Sequence, residues 1–193
     1  LISQGVEFFS KTDTEVIIRL YQKYGFEGLL EKLNGMFAIS IIDLEKNVIY
    51  LARDRLGIKP LYYYYKDGLF LFSSEVKSFL FHPHFQSKLN HDNLDESLIF
   101  RHIAGDKTLL KDVYRVSPGE YLIYDRKSLK RREYWSAEDS KKIFPDSSEI
   151  TERVIAKLNR AVRMRMMSDV NIGVSLSGGI DSSLVAAEAA RHE

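Results

Sequence analysis

The chain has 193 residues, 45% hydrophobic and 28% charged, which fits a soluble globular protein with one domain, or with one domain and part of another. Its 28 basic and 27 acidic side chains leave a net charge of +1, which creates no field for nucleic acid or for an anionic membrane. Cysteine is absent, so disulfides, thiolate metal sites and a cysteine nucleophile are excluded from these residues, and no apolar run reaches the roughly 18 residues of a spanning helix.

A soluble, cytoplasmic protein is expected. In "KTDTEVIIRLYQKYG", Thr12 or Asp13 can cap a helix whose apolar residues Val16, Ile17, Leu20, Tyr21 and Tyr24 recur at helical spacing up to Gly25. "FEGLLEKLNG" reads as a second short helix ending at Asn34-Gly35. The period then changes. Met36 to Ile42 and Val48 to Ala52 read as a hairpin, and the near-continuous apolar character of the first run predicts a strand buried on both faces. "PLYYYY" and "LFLFSS" flank Lys66-Asp67-Gly68, where Asp-Gly signals a tight hairpin turn. The Tyr62 to Tyr65 run is then a strand with alternating faces rather than an aromatic cage. Short helices follow in "SSEVKSFLF" and "NHDNLDESLIFRHI", and Ser117-Pro118-Gly119 turns the chain into a further strand. "RKSLKRR" is basic but lacks interleaved aromatics, so a solvated strand edge is expected.

The stretch "SAEDSKKIFPDSS" is polar, aperiodic and carries Pro145, which marks residues 137–148 as a linker. Beyond it, Glu149 to Met167 is helical, with Arg153, Lys157 and Arg160 on a solvated face. "VNIGVSL" reads as a short buried strand, and "SGGIDSS" as a glycine-serine loop opening a helix. Without Cβ atoms, Gly178 and Gly179 let the backbone take positive φ and come close to a ligand. The N–H groups there and at the helix N-terminus form an anion-binding concavity, and Ser177, Ser182 and Ser183 add hydroxyl donors. Asp181 repels a phosphate unless a cation intervenes, and a bound Mg²⁺ would reconcile the two. The alternative is a plain strand-to-helix turn with Asp181 capping the helix. A P-loop does not fit, because no lysine follows the second glycine.

The loop resembles the pyrophosphate loop of the ATP pyrophosphatases, which cleave ATP between its α and β phosphates, and relatives making GMP, NAD or thiolated tRNA share it. The upstream strings narrow the choice. T-D-x-E-V at Thr12 to Val16, L-N-G-M-F-A at Leu33 to Ala38, A-R-D-R-L-G-I-K-P-L-Y-Y at Ala52 to Tyr63 and S-S-E-V-K at Ser73 to Lys77 resemble the glutaminase domain of glutamine-dependent asparagine synthetase. "MSDVNIGVSLSGGIDSS" resembles that family's entry into its ATP-using domain.

The resemblance implies an α+β N-terminal-nucleophile glutaminase domain of layered antiparallel sheets and helices over residues 1–136, present in part. It implies the start of an α/β pyrophosphate-loop ATP-binding domain over residues 149–193. Asp13 aligns with the carboxylate that holds the α-amino group of glutamine. Ser175, Ser177, Gly178, Gly179, Asp181 and Ser182 align with the ATP corner, with Asp181 toward Mg²⁺. At Ser175 relatives often carry an apolar residue, so any contact there is expected through the backbone. The implied substrates are glutamine, aspartate and ATP, with neither nucleic acid nor membrane as partner and a homodimer as one open assembly.

The family's nucleophile is an N-terminal cysteine, which these residues lack. A piece missing both ends, inactive in either half-reaction by itself, is therefore expected. In the implied whole enzyme, ammonia from glutamine passes through the interior and displaces AMP from an aspartyl adenylate. Two alternatives stand beside it: a related amide-forming synthetase acting on another carboxylate, and a non-catalytic scaffold. Arg53, Asp54, Gly57, Lys59 and Pro60 are expected to form a structural ion pair and turn, and His82 and His84 a surface loop.

Overall fold

The computed structural model describes residues 1–138 and 147–192, and the chain divides into two units, Leu1–Ser140 and Lys141–Glu193. Of the expected linker 137–148, residues 139–146 lie outside the described residues.

In the first unit, helix α1 (Asp13–Lys32) is capped by Thr12, whose Oγ1 accepts from the Glu15 N–H at 3.4 Å. The two expected helical runs are both present and abut at Gly25, where φ of +71° and ψ of −176° break the helix. A left-handed φ of this kind suits glycine. The C-terminal run buries Phe26, Leu29 and Leu30.

Among the described residues, seven antiparallel strands follow: β1 (Ala38–Asp43), β2 (Val48–Arg53), β3 (Tyr62–Lys66), β4 (Leu69–Ser73), β5 (Val113–Arg115), β6 (Glu120–Tyr124) and β7 (Leu129–Glu133). They form one sheet of order β1-β2-β6-β7 and a second of order β4-β3-β5. Lys66 pairs with Leu69, so Asp67-Gly68 is a two-residue loop, and both residues take positive φ, +51° and +78°. That geometry matches the twist of the flanking strands. At the entry to β6, the Glu120 N–H donates to Ser117 O at 3.2 Å, closing the expected Ser117-Pro118-Gly119 turn with Gly119 at φ +70°.

The side-chain period of two sorts these strands into layers. Ala52 and Tyr121 face each other across β2 and β6 and pack with Ile39 and Ile41 of β1 against Leu20, Phe26, Leu29 and Leu30 of α1. Leu51 and Leu122, one residue away, point to the opposite face and meet Tyr63 of β3 with Leu61 and Val116. The far side of the second sheet buries Tyr64 and Val113 against Phe79 and Phe85. The tyrosine run therefore alternates between two packed faces, as its period predicts.

β1 departs from the expectation of burial on both faces. Ile39 and Ile41 are buried, whereas Ala38, Ser40 and Ile42 are exposed. β1 is the edge strand of its sheet, and only its α1-facing side is covered by the three core clusters. Both short helices expected after β4 are present, the first in the tighter 3₁₀ form. Val76–Phe81 is a 3₁₀ helix, and a 3₁₀ turn at His91–Asn93 leads into α2 (Leu94–Phe100).

The second unit holds α3 (Ser147–Arg165) and α4 (Ile180–Ala189). On α3 the expected basic face of Arg153, Lys157 and Arg160 is exposed. The buried strand expected at "VNIGVSL" does not form. Residues 170–176 belong to no sheet and are exposed throughout. A strand needs a ladder partner for its N–H and C=O groups, and no described residue supplies one.

Candidate functional site: an Asp13 cleft and a glycine-serine loop

Two separate places, one in each unit, carry the residues singled out by sequence. The first is the start of α1. The string T-D-x-E-V divides its labour there. Thr12 caps the helix, and Glu15 turns back to accept from the Phe9 N–H at 2.9 Å and from the Ser10 N–H and hydroxyl, both at 2.6 Å. These bonds, the Ser10 hydroxyl foremost, hold the Glu15 carboxyl down at about 2. Asp13 is not the cap. It occupies the first helical turn, accepts among the described residues only from the Thr14 hydroxyl at 3.4 Å, and is exposed. A carboxylate in the first turn faces the positive end of the helix dipole, worth about 0.3–1 kcal/mol.

Asp13 lines a cleft of about 500 Å³ with Ile17, Phe37, Ile39, Lys59 and Ser74. Lys59 and Ser74 were not singled out as site residues. Both sit inside the quoted family strings, but only the fold brings the segment before β3 and the end of β4 to the helix start. The cleft thus offers one carboxylate and one ammonium beside an apolar wall. That set suits an amino acid, whose ammonium pairs with Asp13 and whose carboxylate pairs with a cation.

The turn after β2 supports this wall. Arg53 donates from Nε to Lys59 O at 2.7 Å and from its terminal nitrogens to Val116 O at 2.8 Å and Gly57 O at 2.5 Å. Asp54, 1% exposed, accepts from the N–H groups of Phe37, Leu56, Ile58 and Lys59 at 3.0–3.3 Å. Burial pushes the Asp54 carboxyl up, but the four N–H donors outweigh it and hold the group below its usual range. The structural role expected for this motif is present, with one correction: no Arg53–Asp54 ion pair forms, because backbone groups satisfy each charge. Gly57, at φ +63°, is required here, since a Cβ would lie 2.8 Å from Pro118 Cγ and 3.1 Å from Arg53 Cζ.

The second place is the loop before α4. Gly178 takes φ of +82°, and Gly179 is the N-cap, which has no side chain to satisfy the first turn. The first helical bond is Ser183 N–H to Gly179 O at 3.0 Å, which leaves the N–H groups of Ile180, Asp181 and Ser182 without helical acceptors. Ser177 Oγ lies 3.0 Å from Ser182 Oγ, while the Ser182 and Ser183 hydroxyls donate to Gly179 O at 3.1 and 2.8 Å. The structure brings together Ser177, Gly178, Gly179, Ser182 and Ser183. Ser175, two residues upstream on the extended segment, makes no side-chain hydrogen bond among the described residues, as does Asp181, which is not the cap.

Free N–H groups, clustered hydroxyls and open space over Gly178 fit a polyphosphate. Asp181 fits a cation shared with that polyphosphate. Among the described residues no group of three His, Asp or Glu side chains could hold a metal alone, and Mg²⁺ is commonly held by one or two carboxylates with phosphate oxygens and water.

Residues 1–135 match the glutamine amidotransferase domain family. The chain belongs to that family. Residues 153–193 of this amidotransferase chain also match the asparagine synthase family. The chain is 38% identical to the putative asparagine synthetase (glutamine-hydrolyzing) 2 of Methanocaldococcus jannaschii, over 94% of this chain and 36% of that protein. It is 34% identical to the asparagine synthetase (glutamine-hydrolyzing) 3 of Bacillus subtilis, over 100% of this chain and 31% of that protein. With the amidase chyE of Penicillium rubens the identity is 36%, over 96% of this chain and 27% of that protein. The chain therefore spans about a third of the length of the curated relatives it matches. Among the described residues, no helix is long and apolar enough to cross a membrane.

Proposed function

We propose that the protein carrying this chain makes asparagine from aspartate, glutamine and ATP. The observation that carries the reading is the succession of two family matches in one chain, a glutamine amidotransferase domain and then an asparagine synthase segment. Glutamine is hydrolysed to glutamate and ammonia, with Asp13 holding its ammonium. The aspartate side-chain carboxylate attacks the α-phosphorus of ATP and expels pyrophosphate. Ammonia then attacks the acyl carbon and AMP leaves. Ser177, Gly178, Gly179 and Ser182 hold the departing phosphates through N–H and hydroxyl donors, Ser175 contributes its backbone, and Asp181 would hold Mg²⁺. The cation neutralises phosphate charge when bound.

The test uses the complete gene product carrying these residues. Aspartate, glutamine and ATP-Mg²⁺ are expected to give asparagine, glutamate, AMP and pyrophosphate in equal amounts. ADP as product, or indifference to aspartate, would overturn the reading. Asp13→Asn is expected to raise the KM for glutamine by about 30-fold, the weight of one charged contact of roughly 2 kcal/mol, with ammonia-dependent synthesis unchanged. A second reading, amidation of a different carboxylate, is favoured by the likeness to an amidase; a screen of carboxylic acids with AMP release as readout separates the two. The hydroxyl and N–H cluster of the intact loop argues against a non-catalytic scaffold.

A further inference from the structure

A cavity of about 330 Å³ lies in the first unit where the β3–β4 hairpin end meets the segments 84–88 and 111–112, and it shares no residue with the Asp13 cleft. Three lysines and two aspartates line it: Lys66, Lys88 and Lys111 with Asp67 and Asp112. Lys66 and Asp112 neutralise each other across 2.6 Å. That leaves Lys88 and Lys111, neither with a salt bridge among the described residues, against Asp67 alone.

The placement of Lys88 and Lys111 is the informative feature. Leu89 and Leu110 form an antiparallel bridge, and the Lys111 N–H donates to Lys88 O at 2.8 Å. Lys88 and Lys111 are therefore directly opposite each other. Residues so paired have Cβ atoms about 4.5–5.5 Å apart, and like charges there are destabilising. A bridging anion would turn that repulsion into attraction. Tyr64 also lines the cavity, and its hydroxyl makes no hydrogen bond among the described residues, so its O–H is available to donate to a bound anion.

We propose that this cavity is a binding site for a small anion, a carboxylate or phosphate held between the Lys88 and Lys111 ammonium groups and accepting from the Tyr64 hydroxyl. Its volume falls at the lower end of small-molecule sites. Asp67, which also lines the cavity, gives a ligand bearing an amino group a further partner.

Isothermal titration of the complete gene product carrying these residues, at low ionic strength, tests this, with inorganic phosphate and succinate as probes. Either probe is expected to bind saturably and to raise the transition temperature, and the component of binding lost in the Lys88/Lys111 variant below is the one that belongs to this cavity. The double variant Lys88→Gln/Lys111→Gln should weaken binding by about tenfold or more, and Tyr64→Phe by about threefold. Lys127→Gln, an exposed lysine elsewhere in the unit, should leave it unchanged. Because Lys88 and Lys111 are exposed, the double variant keeps the fold, and in the absence of anion its transition temperature should equal or exceed the parent's. Phosphate binding alone assigns the site to phosphorylated ligands, and succinate binding alone to carboxylates. Heat that does not saturate with either probe, or equal affinity in parent and double variant, would overturn the proposal. Neither result touches the glutamine or ATP readings, which rest on other residues.

Discussion

Two turns rich in charge and glycine, one in each unit, are held in opposite ways. In the first unit, Asp54 is 1% exposed and its carboxylate is ringed by four N–H donors, while Arg53 reaches Val116, 63 residues along the chain. Around it Leu51 and Leu122 are fully buried. In the second unit, every residue from 171 to 180 is exposed, and the hydrogen bonds of the loop join positions no more than five apart. A turn built by distant partners is part of the core and should fail with it. A loop built by its own hydroxyls and a helix start can form with little core, and its first-turn N–H donors stay free for a ligand.

Substitutions can break that contrast. Asp54→Ala leaves four part-buried N–H donors without their acceptor and should cost about 3–5 kcal/mol in urea unfolding of the first unit; a loss under about 1 kcal/mol would contradict a core role for the turn. Leu122→Ala, at a fully buried position, should cost about 2–5 kcal/mol, whereas Leu184→Ala, at a position 53% exposed, should change stability by no more than about 0.5 kcal/mol. Similar values for the two would erase the difference between the units. Gly119 and Gly178 sharpen it further, since both take positive φ, +70° and +82°. A Cβ on Gly119 would lie 2.2 Å from the Trp135 carbonyl oxygen, while one on Gly178 meets nothing within 4 Å. Gly178→Ala should therefore cost only the left-handed strain of about 1 kcal/mol, and Gly119→Ala clearly more.

Acid supplies the mildest probe. Glu15 and Asp43 are held down at about 2, the first chiefly by the Ser10 hydroxyl and the second chiefly by the Lys46 N–H, and Asp54 is also lowered. A carboxyl lowered in the folded state stabilises fully above its unfolded value, about 4, and loses that contribution as pH falls through the folded value. The transition temperature of the first unit should hold steady above about pH 5 and drop between about pH 4 and pH 2. Glu15→Gln should flatten part of that drop. A profile unchanged by the substitution would show that Glu15 does not couple the 9–10 segment to the helix start.

Features that depend on near neighbours were legible in the sequence. The Thr12 cap, the break at Gly25, the Asp67-Gly68 hairpin and the Ser117-Pro118-Gly119 turn each follow from one residue's φ preference or one side-chain acceptor. The glycine-serine loop belongs with them, as its hydrogen bonds are local. The alternation of Tyr62 to Tyr65 was legible because a strand's period assigns faces before any partner is known.

Only the tertiary structure decided the rest. The apolar run at β1 suggested two buried faces, but burial depends on whether a layer lies opposite, and at this edge only α1 does. "VNIGVSL" has strand composition and no strand partner among the described residues. The charges of the motif around Arg53 and Asp54 suggested an ion pair, yet Arg53 and Asp54 each found backbone partners instead. Lys59 and Ser74 beside Asp13, and Lys88 opposite Lys111, are neighbours through strand pairing and chain reversal alone. Sequence determined what each segment can do locally; which charges meet was set by long-range pairing, because side chains distant along the chain meet only when the layers close.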